Sequence, residues 1–139
     1  AQALVELLAD EFPDVEAYLS FTIQDNASIS DGTSFEDICK IINDSKQILA
    51  LGINCSSPLL YDVALEKIRS LTNKYLVTYP NSGETYDGCT QTWKAKDTDA
   101  KNLLENSQFW QKQFQVKILG GCCRTRPNDI KALYQTFRN

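Results

Sequence analysis

The stretch Val116-Lys117-Ile118-Leu119-Gly120-Gly121-Cys122-Cys123-Arg124-Thr125-Arg126-Pro127 runs from an apolar segment through two glycines to two adjacent cysteines. The apolar segment predicts a strand, and the apolar residues spaced at helical intervals after Asn128 predict a helix. Cys55 occupies a matching position, because the apolar run 48–53 precedes it and the helix-start signal Ser57-Pro58 follows it. The sequence therefore predicts strand, cysteine and helix in succession at two places.

The rest of the chain continues this alternation of strands and helices. Strands are predicted over 15–23, 47–53, 74–79 and 116–119, and a polar loop over 81–99. A first helix ends at Pro13, and four further helices carry apolar stripes within 35–42, 60–71, 103–110 and 130–137. The spacing of Thr33 and Glu36 predicts a capping box at the start of the second helix. Such alternation predicts right-handed crossovers and a parallel sheet, built from four βα units preceded by one helix. Four units are half of an eight-unit barrel, and they are also sufficient for a small open α/β sheet.

Length, composition and charge exclude several classes of protein. A chain of 139 residues, 42% hydrophobic and 23% charged, matches a single globular domain, which we assign to 1–139. A net charge of −4 without a basic run argues against a nucleic-acid partner. No apolar stretch approaches the roughly 20 residues of a membrane helix, and the N-terminus lacks the pattern of a signal peptide. We therefore expect a cytoplasmic protein with neither a membrane nor a nucleic acid as its partner.

The cysteines are the residues that carry the most chemical information. There are five of them, an odd number without secretory context, so a reducing compartment with free thiols is expected. Histidine is absent from the sequence, so catalysis would depend on thiolates, carboxylates, phenols or a metal. Cys39 lies beside an apolar helix stripe and is predicted to fill the core. Cys89 lies in the polar loop and is predicted to be exposed.

Cys55, Cys122 and Cys123 are predicted to converge. They end the second and fourth strands, which have the same parity, so in a barrel the strand tips point into the same region. Catalytic zinc sites use three protein ligands and leave one position open. On this reasoning alone the three remain open to other interpretations: buried core thiols, a thiol-based redox pair, or a strained disulfide between neighbours.

Two further loops follow strand ends. Gly120-Gly121, with Arg124, has the composition of an anion-binding turn, but glycines at a strand end more often permit close approach of a backbone or ligand. Tyr79-Pro80-Asn81-Ser82-Gly83-Glu84 has the composition of a turn. The same loop is also a candidate polar wall for a small polar ligand.

Taken together, Gly52-Ile53-Asn54-Cys55, Tyr79-Pro80-Asn81-Ser82-Gly83-Glu84 and Gly120-Gly121-Cys122-Cys123-Arg124 resemble the homocysteine S-methyltransferase family. The resemblance covers essentially the whole chain and is closest to the branch that uses S-adenosylmethionine or S-methylmethionine. It implies a (β/α)8-barrel enzyme that methylates homocysteine to give methionine, with zinc bound by Cys55, Cys122 and Cys123. The predicted substrate-binding residues are Asn54, Tyr79, Asn81, Ser82 and Glu84.

The resemblance also implies that the chain is a half-barrel. It corresponds to strands five to eight, whereas a complete barrel takes about 250 residues. The family's N-terminal Asp-Gly-Gly motif has no counterpart, nor does the acidic residue near its fourth strand. We therefore expect a truncated domain that forms a homodimer or pairs with an N-terminal half-barrel. The alternative function is a catalytically inactive, zinc-binding half-barrel that acts through self-association or a partner.

Overall fold

The computed structural model describes residues 1–95 and 101–138. The α-helices of these described residues are α1 (Gln2–Glu11), α2 (Phe35–Asp44), α3 (Tyr61–Leu71), α4 (Leu103–Phe114) and α5 (Pro127–Phe137). The strands of the same residues are β1 (Ala17–Phe21), β2 (Ile48–Asn54), β3 (Tyr75–Tyr79), β4 (Thr85–Asp87), β5 (Thr92–Lys94) and β6 (Val116–Leu119). A short 3-10 helix, Pro58–Leu60, precedes α3. None of the helices in the described part of the chain has the length and apolar character needed to cross a membrane.

Four strands form a parallel sheet in the order β1-β2-β3-β6. Neighbouring strands are connected through helices, so the sheet consists of successive βα units, as the alternation in the sequence predicts. The α/β fold with a parallel sheet is confirmed. Because all four strands run the same way, their carboxyl ends meet at one edge, and the loops that follow them lie close together.

The main core lies between this sheet and the helices. Ile48, Leu51 and Ile53 of β2 pack with residues of α2 and α3, and Trp110 of α4 is fully buried. The Trp110 ring lies 4.9 Å from the Tyr61 ring, and its indole N–H donates to Asp62 Oδ1 at 2.6 Å. Burying these large side chains removes the apolar helix faces from water, which is the main contribution to stability.

The opposite face of the sheet carries large exposed side chains. Tyr18, Tyr75 and Ile118 are 51%, 57% and 46% exposed, and they line one open depression together with Leu49. Successive residues of a strand point to opposite faces. Each of these side chains therefore alternates with a core residue such as Leu19 or Leu76. Within the described residues, one sheet face is covered by helices and the other is largely open.

The segment after β3 differs from the prediction. The sequence predicts a polar loop over 81–99, whereas β4 and β5 form an antiparallel hairpin within it. Tyr86 and Trp93 pair across the hairpin with ring centroids 5.2 Å apart. The cross-strand pair stabilises these short strands. The apolar periodicity of the sequence does not reveal such a pair. The remainder of the predicted loop, 96–99, lies outside the described residues.

Smaller differences concern how α2 and α3 begin and pack. The N-cap of α2 is Ser34, whose hydroxyl accepts the Asp37 N–H at 3.1 Å, so the predicted pairing of Thr33 with Glu36 is wrong by one residue. In α3 the apolar stripe predicted within 60–71 includes Val63, but this residue is 50% exposed, whereas Tyr61 and Leu65 are buried.

Candidate metal centre

Both cysteine-bearing loops leave the sheet at the edge where the parallel strands end. Cys55 directly follows β2, and Cys122 follows the two glycines after β6. The chain leaving β3 lies between the two loops and bonds to each of them. The Cys55 N–H donates to the Tyr79 carbonyl at 3.0 Å, and the Cys122 N–H donates to the Pro80 carbonyl at 2.8 Å. The end of β3 therefore holds the two loops in register.

The three sulfur atoms at this edge form a cluster. All three Sγ atoms lie within 4.8 Å of one another, with Cys55 and Cys123 at 3.4 Å and Cys122 and Cys123 at 4.0 Å. Thiolates placed tetrahedrally about 2.3 Å from a zinc ion lie about 3.8 Å apart, so the observed separations fit that ion. Each cysteine is only partly buried, which leaves room for a further ligand. The structure thus brings the three predicted ligands together, while metal binding itself stays a prediction.

Cys55 has an unusual backbone conformation that its neighbours stabilise. Its φ of 48° lies in the left-handed region, which is uncommon for a residue other than glycine. The Asn81 N–H donates to the Ser56 carbonyl at 3.1 Å, and the Asn81 side-chain amide donates to the Cys55 carbonyl at 3.4 Å. The Ser56 hydroxyl accepts the Ile23 N–H at 2.9 Å and donates to the Asn54 carbonyl at 3.0 Å. These bonds fix the direction of the Cys55 side chain.

Cys122 and Cys123 belong to a tight turn that ends at Thr125. The N–H and the hydroxyl of Thr125 both donate to the Cys122 carbonyl, at 3.1 and 2.7 Å. A Cβ on Gly121 would come within 2.8 Å of the Thr125 Cβ, so only glycine permits this approach. The structure therefore supports the close-approach interpretation for Gly121.

Arg124, the third residue of this turn, links it to the hairpin. Its φ of 66° is also left-handed. Its Nε donates to Glu84 Oε2 at 2.7 Å, and its guanidinium carbon lies 5.9 Å from the centre of the Trp93 ring. The anion-binding interpretation of this loop depends on the Arg124 guanidinium. Because that group already pairs with the Glu84 carboxylate, the structure gives the interpretation little support.

The local environment of Cys55 and Cys123 favours the neutral form of these two thiols. Burial raises the pKa of the Cys55 thiol, and the hydrogen bond with Cys55 raises the pKa of the Cys123 thiol. A metal ion needs thiolates as ligands, so its binding must release protons from these groups.

The five predicted substrate-binding residues all lie at this edge of the sheet. Asn54 Oδ1 accepts the Ser20 hydroxyl at 2.7 Å, and the Ser82 N–H donates to the Cys123 carbonyl at 3.0 Å. Asn81 Oδ1 is buried and has no hydrogen-bond partner among the described residues, which is uncommon for a buried polar atom. Tyr79 ends β3, and Glu84 holds Arg124. Their role toward a substrate stays a prediction.

Sequence reasoning placed the other cysteines correctly. Cys39 is 2% exposed, and burial raises its pKa to about 11, while Cys89 is exposed. The reasoning missed Ser20, Ser56 and Trp93, which position the site through hydrogen bonds or a ring contact. The two serines adjoin strand ends, where polar residues signal a site, but Trp93 lies in a segment that the sequence presents as a loop.

Comparison with known proteins identifies the family. A family model described as homocysteine S-methyltransferase matches residues 1–137. The homocysteine S-methyltransferase of Escherichia coli (strain K12) is 40% identical over 132 residues, which are 95% of this chain and 42% of that protein. The chain belongs to the homocysteine S-methyltransferase family. Homocysteine S-methyltransferase 1 of Brassica oleracea var. italica is 38% identical over 99% of this chain and 42% of its own length.

Solved structures agree with this family assignment. The metallated form of the homocysteine methyltransferase MmuM from Escherichia coli superposes with a TM-score of 0.78 at 35% identity, covering 97% of this chain and 40% of that one. An oxidized form of the same protein gives a TM-score of 0.76. The chain thus spans about two fifths of the length of the family members that it matches.

Proposed function

We propose that this chain carries the zinc-binding part of a homocysteine S-methyltransferase. The observation that carries the proposal is the cluster of Cys55, Cys122 and Cys123, with sulfur separations that fit a zinc ion, at the carboxyl edge of the sheet. Catalytic sites of α/β barrels and open sheets lie at this edge. Membership of the family supplies the reaction class.

The three cysteines would hold the zinc and leave one position open for a substrate sulfur. Three soft thiolate donors favour zinc over magnesium or calcium. The ion, when bound, supplies a positive charge that stabilises an additional thiolate near neutral pH. Such a site requires no histidine base, in keeping with a sequence that contains no histidine.

The proposed reaction transfers a methyl group between two sulfur atoms. The homocysteine thiol loses its proton to solvent, and its sulfur lone pair attacks the methyl carbon of a sulfonium donor. One carbon–sulfur bond forms as another breaks, giving methionine and a neutral sulfide. The donor is S-adenosylmethionine or S-methylmethionine. Because little acid–base chemistry is needed, orientation of the two substrates supplies much of the rate acceleration.

The residues around the cluster supply polar groups for that orientation. Asn54, Tyr79, Asn81, Ser82 and Glu84 are proposed to contact substrate. Asn81 Oδ1 is the group best supported for this, since it is buried, has no partner among the described residues, and belongs to a residue bonded to Cys55. It would accept a hydrogen bond from a substrate ammonium group.

We further propose that the sheet is half of a (β/α)8 barrel. Its strands neighbour one another in chain order, as in a barrel, without the reversal of order seen in doubly wound sheets. The open face with Tyr18, Tyr75 and Ile118 would then point to the barrel interior. A second copy of the chain or an N-terminal half-barrel would cover it. A reducing compartment such as the cytoplasm would keep the metal-binding thiols free.

Metal analysis of the purified chain tests the proposal. We expect about one zinc per chain, lost in Cys122→Ala because two thiolates and water bind zinc far more weakly than three thiolates. Cys89→Ala is the matched control, since it removes an exposed thiol outside the cluster and should leave the zinc content unchanged. Absence of zinc from the wild-type chain would contradict the central proposal.

Activity is tested separately, by methionine formation from homocysteine with each donor. Turnover that disappears in Cys122→Ala but not in Cys89→Ala supports the enzyme. Zinc binding without turnover would restrict the proposal to the metal site and would mean that the chain needs another barrel half.

A further inference from the structure

We propose that Arg124 is a positioning residue of the metal centre. Clamped between the Glu84 carboxylate and the Trp93 ring, it holds the turn that carries Cys122 and Cys123 in its metal-binding shape. The β4–β5 hairpin thereby becomes part of the site. This inference rests on the proposed zinc function and identifies residues that hold the proposed zinc ligands in place.

The backbone of the turn gives the first argument. The turn runs from Cys122 to Thr125 and is closed by the Thr125 N–H on the Cys122 carbonyl at 3.1 Å. Arg124 is its third residue and has a φ of 66°, a position that normally carries Gly or Asn. A long side chain at this φ is strained, so contacts of that side chain must compensate.

The side-chain contacts give the second argument. Arg124 Nε donates to Glu84 Oε2 at 2.7 Å, the Glu84 N–H donates to Ser82 Oγ at 3.4 Å, and the Ser82 N–H donates to the Cys123 carbonyl at 3.0 Å. These bonds form a closed ring that returns to Cys123. The guanidinium carbon lies over the Trp93 ring, 5.9 Å from its centre. The metal ligand Cys123 is therefore restrained both at its own carbonyl and through the next residue.

The hairpin is suited to act as the anchor. The Tyr86 and Trp93 rings pair across it with their centroids 5.2 Å apart. Asp87 Oδ1 accepts the Cys89 N–H at 3.0 Å and so stabilises the connection between the strands. The hairpin thus has its own internal contacts. Glu84, which directly precedes β4, connects the hairpin through Arg124 to the turn that carries Cys122 and Cys123.

Zinc affinity of the purified chain, measured by competition with a chromophoric chelator, tests the clamp. We expect Glu84→Gln and Arg124→Gln each to weaken zinc binding about tenfold, the lower end for residues that orient metal ligands. The double variant should be little weaker than either single variant, because both changes remove the same interaction. With cobalt in place of zinc, the thiolate charge-transfer band should shift in the variants, which a loss of folding stability alone would not cause.

Two further variants make the test specific. Arg124→Gly relieves the left-handed backbone but removes the clamp, so it should also weaken zinc binding; wild-type affinity would overturn the proposal. Lys94→Gln is the matched control, because it removes an ion pair that lies within the same hairpin. An equal loss of affinity in Lys94→Gln would mean that general loosening of the hairpin is responsible, and would overturn the proposal as well.

Amide exchange separates this inference from the proposed function. If the wild-type chain binds no zinc, the proposed function fails, but the clamp can still be measured in the metal-free protein. We then expect the Thr125 N–H to exchange faster in Glu84→Gln than in Lys94→Gln. Equal exchange in the two variants would overturn the clamp.

Discussion

Gly52 lies on β2 between its sheet partners Ser20 of β1 and Val77 of β3. A Cβ there would come within 2.8 Å of Ser20 Oγ and 2.9 Å of the Val77 Cβ. We expect Gly52→Ala to destabilise the chain by about 1–3 kcal/mol through overpacking, measured by urea unfolding. Gly88→Ala is the control, because a Cβ at Gly88 would meet nothing within 4 Å. A Gly52→Ala variant as stable as Gly88→Ala would show that the strands separate easily.

Cys39 gives a prediction for the dependence of stability on pH. Burial raises its pKa from 9.0 in the unfolded chain to about 11, so the folded state disfavours the thiolate. The stability due to the neutral thiol is fully present below pH 9 and is lost as the pH rises toward 11. Between pH 9 and 11, the unfolding free energy of the wild-type chain should therefore fall more steeply than that of Cys39→Ala. The difference in slope should reach up to about 1.4 kcal/mol per pH unit. Cys89→Ala, which changes an exposed thiol, should keep the wild-type slope.

At the scale of elements, the start of α2 offers a direct test of which residue caps the helix. Ser34 Oγ accepts the Asp37 N–H, so Ser34→Ala should cost about 1 kcal/mol of unfolding free energy. Thr33→Ala is the matched control and should cost less, since Thr33 lies outside the helix cap. A larger loss in Thr33→Ala would restore the capping box predicted from the sequence.

At the scale of the whole molecule, the open sheet face predicts association. Tyr18, Tyr75 and Ile118 expose large apolar surfaces on three strands of one sheet, β1, β3 and β6, and surfaces of this kind usually mark an interface. We expect sedimentation to show the isolated chain self-associating. Tyr75→Thr combined with Ile118→Thr should shift it toward monomer, because both changes remove apolar area while the β-branched threonine still suits a strand.

The control for that experiment lies on the helical side of the sheet. Val63 is 50% exposed on α3, so Val63→Thr changes an exposed apolar side chain away from the open face and should leave association unchanged. A wild-type chain that stays monomeric and folded at all concentrations would contradict the prediction of pairing.

Local and periodic signals were sufficient for most elements of the fold. The last strand was predicted with its observed limits, Val116–Leu119, because a short apolar run bounded by a helix end and glycines has few other structures. The helices were found from apolar spacing and from the Ser57-Pro58 start signal. Cys55, Cys122 and Cys123 were predicted to converge because they end strands of the same parity, and the structure brings their sulfur atoms together. All of these depend on residues that are near in sequence or on topology alone.

The features that only the folded structure reveals are contacts between different strands and loops. The hairpin depends on the Tyr86–Trp93 pair, the Arg124–Glu84 ion pair joins separate loops, and the sulfur separations depend on how the end of β3 holds both cysteine turns. None of these contacts produces a periodic pattern in the sequence, because the partners come together only when the chain folds. The residue types thus specify the chemistry available at this edge of the sheet, and the packing of the strand ends decides which of those groups meet.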